Sequence, residues 1–204
     1  MLGTKTNMSI STKEKIKSVA LSLFAQKGYE GTTMNEIANL VGIKKASLYA
    51  HFTGKEDLFF SVYEDLAQEY FNLMNRIMHD ADGMGVQDKL YYMFEEYIRY
   101  YIDNPKIQAF WNQITLFSPP DIYNQVCIHA SNYELTVRQW IEDTLLEGIN
   151  QGLIVNSDVK TMAIAYRSLR EGFLNGMMMD PELNNAGTIK SLWEYFWFGI
   201  KGRE

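Results

Sequence analysis

The stretch "GIKKASLYAHFTGKEDL", Gly42 to Leu58, gathers two adjacent lysines, a serine, a tyrosine and a histidine around Leu48 and Phe52. Residues four apart on a helix share a face. Leu48 and Phe52 are therefore expected to point inward, onto Ile37 and Leu40 of the preceding segment. Lys44, Lys45, Ser47, Tyr49 and His51 are left on the outer side. A short helix, a turn at Gly42 and a second short helix is the layout of a helix-turn-helix, whose second helix fits the DNA major groove. The outer side chains suit that groove. Lysine meets phosphate or guanine, serine meets base or phosphate, and tyrosine and histidine meet phosphate oxygens or a thymine methyl. The same residues also suit the solvated face of a small helical bundle, and the pattern alone leaves both readings open.

Outward from this stretch, start and stop signals predict more helices. Ser11-Thr12-Lys13-Glu14 has the spacing of a capping box ahead of Ile16, Val19, Ala20, Leu23 and Phe24, and Gly28 stops that helix. Thr33-Met34-Asn35-Glu36 is a second box, and Thr33 marks a helix start whose free N–H groups suit a phosphate. Thr53-x-x-Glu56 opens a long helix through Leu58, Phe59, Val62, Leu66, Leu73 and Ile77, with Lys55 at its start placed to grip the flanking strand. Residues 1–10 read as a flexible N-terminus.

Charge is unevenly shared. The chain of 204 residues carries a net −6, yet residues 1–55 hold eight lysines against Glu14, Glu30 and Glu36, a net +5. The remainder is thus −6 − 5 = −11. A basic head points to a polyanionic partner and an acidic body to another task. A 47% hydrophobic content excludes a disordered polymer. The single cysteine, Cys127, fits a reducing cytoplasm. No apolar run reaches the ~20 residues of a membrane span, so a soluble, cytoplasmic protein without membrane contact is expected.

"TTMNEIANLVGIKKASLYAHFTGKEDLF", Thr32 to Phe59, resembles the signature of the TetR family of bacterial transcriptional regulators. Thr33, Ile37, Ala38, Gly42, Leu48, Tyr49, His51, Phe52, Lys55 and Leu58 fall where that motif places them, and "FAQKGYEGTT" upstream matches as well. Two departures stand out. Lys44 takes the place of the usual serine or threonine cap, at a cost of about 1 kcal/mol of local helix stability, and Ala46 stands where the family favours glycine.

The resemblance implies an all-α homodimer with no cofactor. Residues 11–56 would form the helix-turn-helix domain that binds a near-palindromic double-stranded operator. Residues 57–204 would form a helical domain for a small-molecule effector and for dimerisation. Repression lifted by a largely apolar or aromatic effector is the implied function. Thr33, Lys44, Lys45, Ser47, Tyr49, His51 and Lys55 are the DNA-binding candidates. The family pairs its last two helices between protomers. Here these carry the stripes Met162, Tyr166, Leu169, Phe173, Met177 and Ile189, Leu192, Trp193, Phe196, Trp197, Ile200. A terminal helix this aromatic would leave a large apolar patch on a monomer.

Candidate pocket residues are Met93, Tyr97, Tyr101, Phe110, Trp111, Phe117, Trp140, Tyr166 and Phe173, since aromatics and methionines line adaptable cavities. They also build ordinary cores. A carboxylate from Glu95, Glu96, Glu134 or Glu171 bordering such a cavity would favour a cationic ligand. An enzyme is not expected. Cys127 and His129 diverge by about 200° on a helix and do not converge on one metal or nucleophilic centre, and no phosphate-binding loop or nucleophile elbow occurs. The competing reading is a helical ligand-binding dimer without specific DNA binding.

Overall fold

A computed structural model describes residues 11–202, less the side chains of residues 129–134. The expected flexible segment 1–10, and the side chains of His129 and Glu134, lie outside the described residues. Nine α-helices follow one another among the described residues: α1 Thr12–Lys27, α2 Met34–Val41, α3 Lys45–Tyr49, α4 Lys55–Asp80, α5 Val86–Asp103, α6 Pro105–Phe117, α7 Pro120–Asn150, α8 Val159–Met179 and α9 Ala186–Ile200. A 3-10 turn, Pro181–Leu183, precedes α9. The extended backbone amounts to an isolated bridge between Ile154 and Lys201, which the sequence gives no sign of.

The capping signals act much as read. Ser11 Oγ accepts from Glu14 N at 3.2 Å, and Gly28, at φ 70°, closes α1 with its N–H on Phe24 O. Thr33 Oγ1 accepts from Glu36 N at 3.2 Å. Gly42 turns left-handed, at φ 80° and ψ 32°, and donates to the carbonyls of Ala38 and Asn39. Lys44 caps α3 without any side-chain hydrogen bond. At the head of α4 the box is displaced by one residue: the backbone N–H and hydroxyl of Thr53 both donate to Asp57, at 2.7 and 3.0 Å, so Glu56 is not the partner.

The chain divides into two compact units. The first comprises residues 11–68 and 106–126, and the second 69–105 and 127–202. The core of the first unit extends past residue 56. Phe59 meets Phe24 and Tyr29 edge-on at 5.2 Å and Phe110 at 5.6 Å, and Tyr63 meets Trp111 at 5.5 Å. Around this cluster Ile16, Ala20, Leu23, Ile37, Ala38, Leu48, Phe52 and Leu58 are buried. One inward assignment is corrected. Leu40 is 63% exposed, because the apolar stripe of α2 runs through Met34, Ile37 and Ala38, and position 40 falls off it.

In the second unit Trp193 of α9 is the hub. It packs against Phe94 of α5, Tyr166 of α8, and Phe196 and Trp197 of its own helix, with ring centroids 5.8–6.5 Å apart. Tyr166 is fully buried and donates its hydroxyl to Leu90 O at 2.7 Å. Of the expected dimer stripes, Met162, Tyr166, Phe173, Ile189 and Trp193 are buried within their own protomer. Leu169, Phe196 and Trp197 are only partly covered. The exposed large apolar side chains of these helices, among the described residues, are Ile164, Met178, Met179, Tyr195 and Phe198.

Candidate nucleic-acid interface and ligand region

The first unit builds a polar ridge on two apolar anchors. Leu48 and Phe52 are buried, and between and beside them Lys44, Lys45, Ser47, Tyr49 and His51 are all exposed. Tyr49 is 45% exposed, and the Lys45 ammonium lies 5.8 Å from its ring centroid. A cation held over an aromatic face keeps both groups on one side of the short helix. Thr33 is exposed at the start of α2; its oxygen caps the helix while its O–H stays available to donate. Lysines 44 and 45 bring positive charge to a face with no acidic side chain among residues 42–55.

Lys55 is placed differently from the others. It is half-buried, and its ammonium donates to Tyr29 O at 2.9 Å while lying 4.2 Å from the Tyr29 ring centroid. It ties the turn after α1 to the start of α4. Elsewhere in the head, Lys27 pairs with Glu36 and Lys17 with Asp65, so these cations are engaged within the unit.

The ligand candidates do not form one group. Phe110, Trp111 and Phe117 lie in the first unit, where Phe110 is core and Phe117 is exposed. Met93, Tyr97, Tyr101, Trp140, Tyr166 and Phe173 belong to the second. Trp140 lines an open cleft with Leu135, Arg138, Lys160, Ile164 and Arg167. Met93, Tyr97, Tyr101, Tyr166 and Phe173 are buried. Burial lifts the pKa of the Tyr97, Tyr101 and Tyr166 phenols above the ordinary tyrosine range. Of the candidate carboxylates, Glu171 accepts from Tyr97 Oη at 2.5 Å, and Glu95 pairs with Arg99.

Sequence reasoning missed Arg170. It is 2% exposed, with its guanidinium carbon 3.4 Å from the Tyr97 ring centroid and 5.9 Å from that of Tyr166. A signal was present: Arg170 stands four residues after Tyr166 and three before Phe173, on the apolar stripe of α8. No three or more His, Cys, Asp or Glu side chains among the described residues are grouped to hold a metal. No helix among them is long and apolar enough to cross a membrane.

Comparison with known proteins agrees with the geometry of the head. The family described as bacterial regulatory proteins, tetR family, matches residues 16–62. The biofilm operon icaADBC HTH-type negative transcriptional regulator IcaR of Staphylococcus aureus is 41% identical over 100 residues, covering 44% of this chain and 52% of that protein. Its Staphylococcus epidermidis counterpart is 35% identical over 97 residues, 44% of this chain and 51% of that protein. The chain thus spans about half the length of the curated relatives it matches. Among solved structures, the ketosteroid transcriptional regulator KstR2 of Mycobacterium tuberculosis superposes with a TM-score of 0.74 at 17% identity, covering 96% of this chain and 98% of that one. FadR of Bacillus subtilis, solved with stearoyl-CoA, gives 0.71 at 15% identity, over 91% and 98% of the two chains. These two likenesses concern the fold.

Proposed function

We propose, from the match of residues 16–62 to the bacterial regulatory proteins of the tetR family, that this chain is a DNA-binding transcriptional repressor of that family. The observation that carries the reading is the outward ridge of Lys44, Lys45, Ser47, Tyr49 and His51 above buried Leu48 and Phe52. Two such ridges in a homodimer would enter successive major grooves about 34–36 Å apart and select a near-palindromic operator. Lysines supply sequence-independent affinity by releasing counterions, and Ser47, Tyr49 and His51 supply contacts to base edges or phosphates. The protein would work in the cytoplasm by binding, with no catalytic step. The dimer would form through the exposed sides of α8 and α9, centred on Ile164, Tyr195 and Phe198 rather than on the buried stripes.

Repression is the direction that IcaR, a negative regulator by name, favours. Release would follow when a small apolar effector binds the second unit. Such a ligand shifts the equilibrium only by binding the DNA-incompetent conformer more tightly than the competent one. The test is a shift assay with selected duplexes at several salt concentrations. One sequence should bind far more tightly than the rest, with affinity falling steeply as salt rises. Equal, weak binding to every duplex defeats the reading.

A further inference from the structure

Arg170 has N–H donors the fold does not satisfy. Among the described residues, its Nε and Nη1 are buried and have no hydrogen-bond partner. Nε carries one N–H and Nη1 carries two, so three donors lack an acceptor. Leaving a buried cation without acceptors is costly, and most proteins pair or bridge such groups. The nearest carboxylate, Glu171, is 3.8 Å from Nη2, beyond hydrogen-bonding distance, and is itself held by the Tyr97 hydroxyl. Tyr97 covers one face of the guanidinium at 3.4 Å. Because guanidinium N–H bonds lie in the plane of the group, this stacking leaves the donors free along the edge.

The surroundings state what kind of molecule fits. Tyr101 packs on Tyr97 at 4.8 Å, and Tyr166 and Phe173 flank Arg170 on α8. The unpaired Nε and Nη1 donors call for an acceptor, and with the Glu171 carboxylate already 3.8 Å from Arg170 a ligand that brings one negative charge is repelled less than one that brings two. The half-exposed Glu171 side chain gives the site an edge toward solvent.

We propose that Arg170, stacked on Tyr97, is the recognition group for an effector that combines an apolar body with a single carboxylate. This rests on the reading of the second unit as the effector-binding part and fixes its ligand class. It replaces the cationic ligand inferred from glutamates, because the unpaired buried groups are N–H donors, which a second cation cannot satisfy. The carboxylate accepts from the Nε and Nη1 edge, and its apolar remainder lies among the tyrosines and Phe173.

The test uses the full chain and matched acid–amide pairs: acetate with acetamide, phenylacetate with phenylacetamide, decanoate with decanamide. Inorganic phosphate is a further arm. Isothermal titration should show at least one acid binding roughly tenfold or more tightly than its amide, the low end for hydrogen bonds to a charged group. Arg170→Met should abolish that difference without lowering the ligand-free melting temperature, since it removes an unsatisfied buried charge. Arg170→Lys should keep part of the preference, and it provides the comparison if the methionine variant does not fold. Equal binding of acids and amides across the panel overturns the proposal. So does tighter binding of phosphate, or an acid preference unchanged in both variants. Operator binding measured on the same wild-type sample separates the two readings. An acid preference without operator binding sinks the repressor, and operator binding without an acid preference sinks the carboxylate site.

Discussion

The Lys55 ammonium and Tyr29 are joined twice: Nζ donates to the tyrosine carbonyl at 2.9 Å and sits 4.2 Å from the ring centroid. One side chain thereby fixes the loop after α1 against the first turn of α4. Lys55→Met should destabilise the head by about 1–2 kcal/mol, from the loss of a charged hydrogen bond and a cation–π contact. Chemical denaturation followed by circular dichroism reads this directly. An unchanged midpoint would return Lys55 to a purely DNA-facing role, since two of its three N–H bonds remain free for a phosphate.

Lys45→Ala and Tyr49→Ala should weaken operator binding while leaving stability within about 0.5 kcal/mol, because both side chains are surface groups off the core. If Lys45 meets a phosphate, its loss reduces the salt slope by about 1 and lowers affinity for all sequences alike. Titration of labelled operator at several salt concentrations distinguishes this from a base contact.

Gly42→Ala isolates a backbone effect. No atom lies within 4 Å of the position a Cβ would take, so crowding is absent. The cost is that of a left-handed φ of 80° for an alanine, about 1 kcal/mol. Thermal melting and operator affinity should fall together, and Gly42→Asn should lose less, because asparagine tolerates this region.

Helices α8 and α9 separate folding from association. Trp193→Glu places a carboxylate in the aromatic hub and should unfold the second unit. Tyr195→Glu and Phe198→Glu alter side chains 78% and 72% exposed, so they should leave the helical spectrum intact and halve the mass seen by light scattering. A dimer mass retained by both surface variants would place the interface elsewhere.

Alkaline titration reports the buried phenols. Burial raises the folded-state pKa of Tyr97, Tyr101 and Tyr166. Their contribution to stability is therefore full below the unfolded tyrosine value of about 10 and declines as pH rises above it. Tyrosinate absorbance should rise first from exposed residues. A second fraction should ionise only as the near-ultraviolet circular dichroism collapses. A single smooth titration with retained structure would show these phenols to be accessible.

The head was legible because its signals are local. Ser11, Thr33 and Gly42 act within four residues of themselves, and Leu48 with Phe52 needs only helical spacing. Leu40 was misread because Ile37 and Leu40 look like an i, i+3 pair, while the stripe continues through Ala38 instead. In the second unit the partners are far apart in sequence. Trp193 reads equally well as interface or core until Phe94 and Tyr166 are seen against it. Arg170 escaped notice for a related reason: a cation among aromatics is assigned to solvent by default, and only Tyr97, on another helix, shows that it lies inside.

Because Leu48 and Phe52 are the buried side chains of residues 44–52, the outward positions of the second helix of the motif contribute little to the core. Point changes there can re-address the molecule to a new site without a folding penalty. Divergence of target preference among descendants of such a chain therefore requires no compensating repairs, and an engineered library confined to residues 44, 45, 46, 47, 49 and 51 should return mostly folded members.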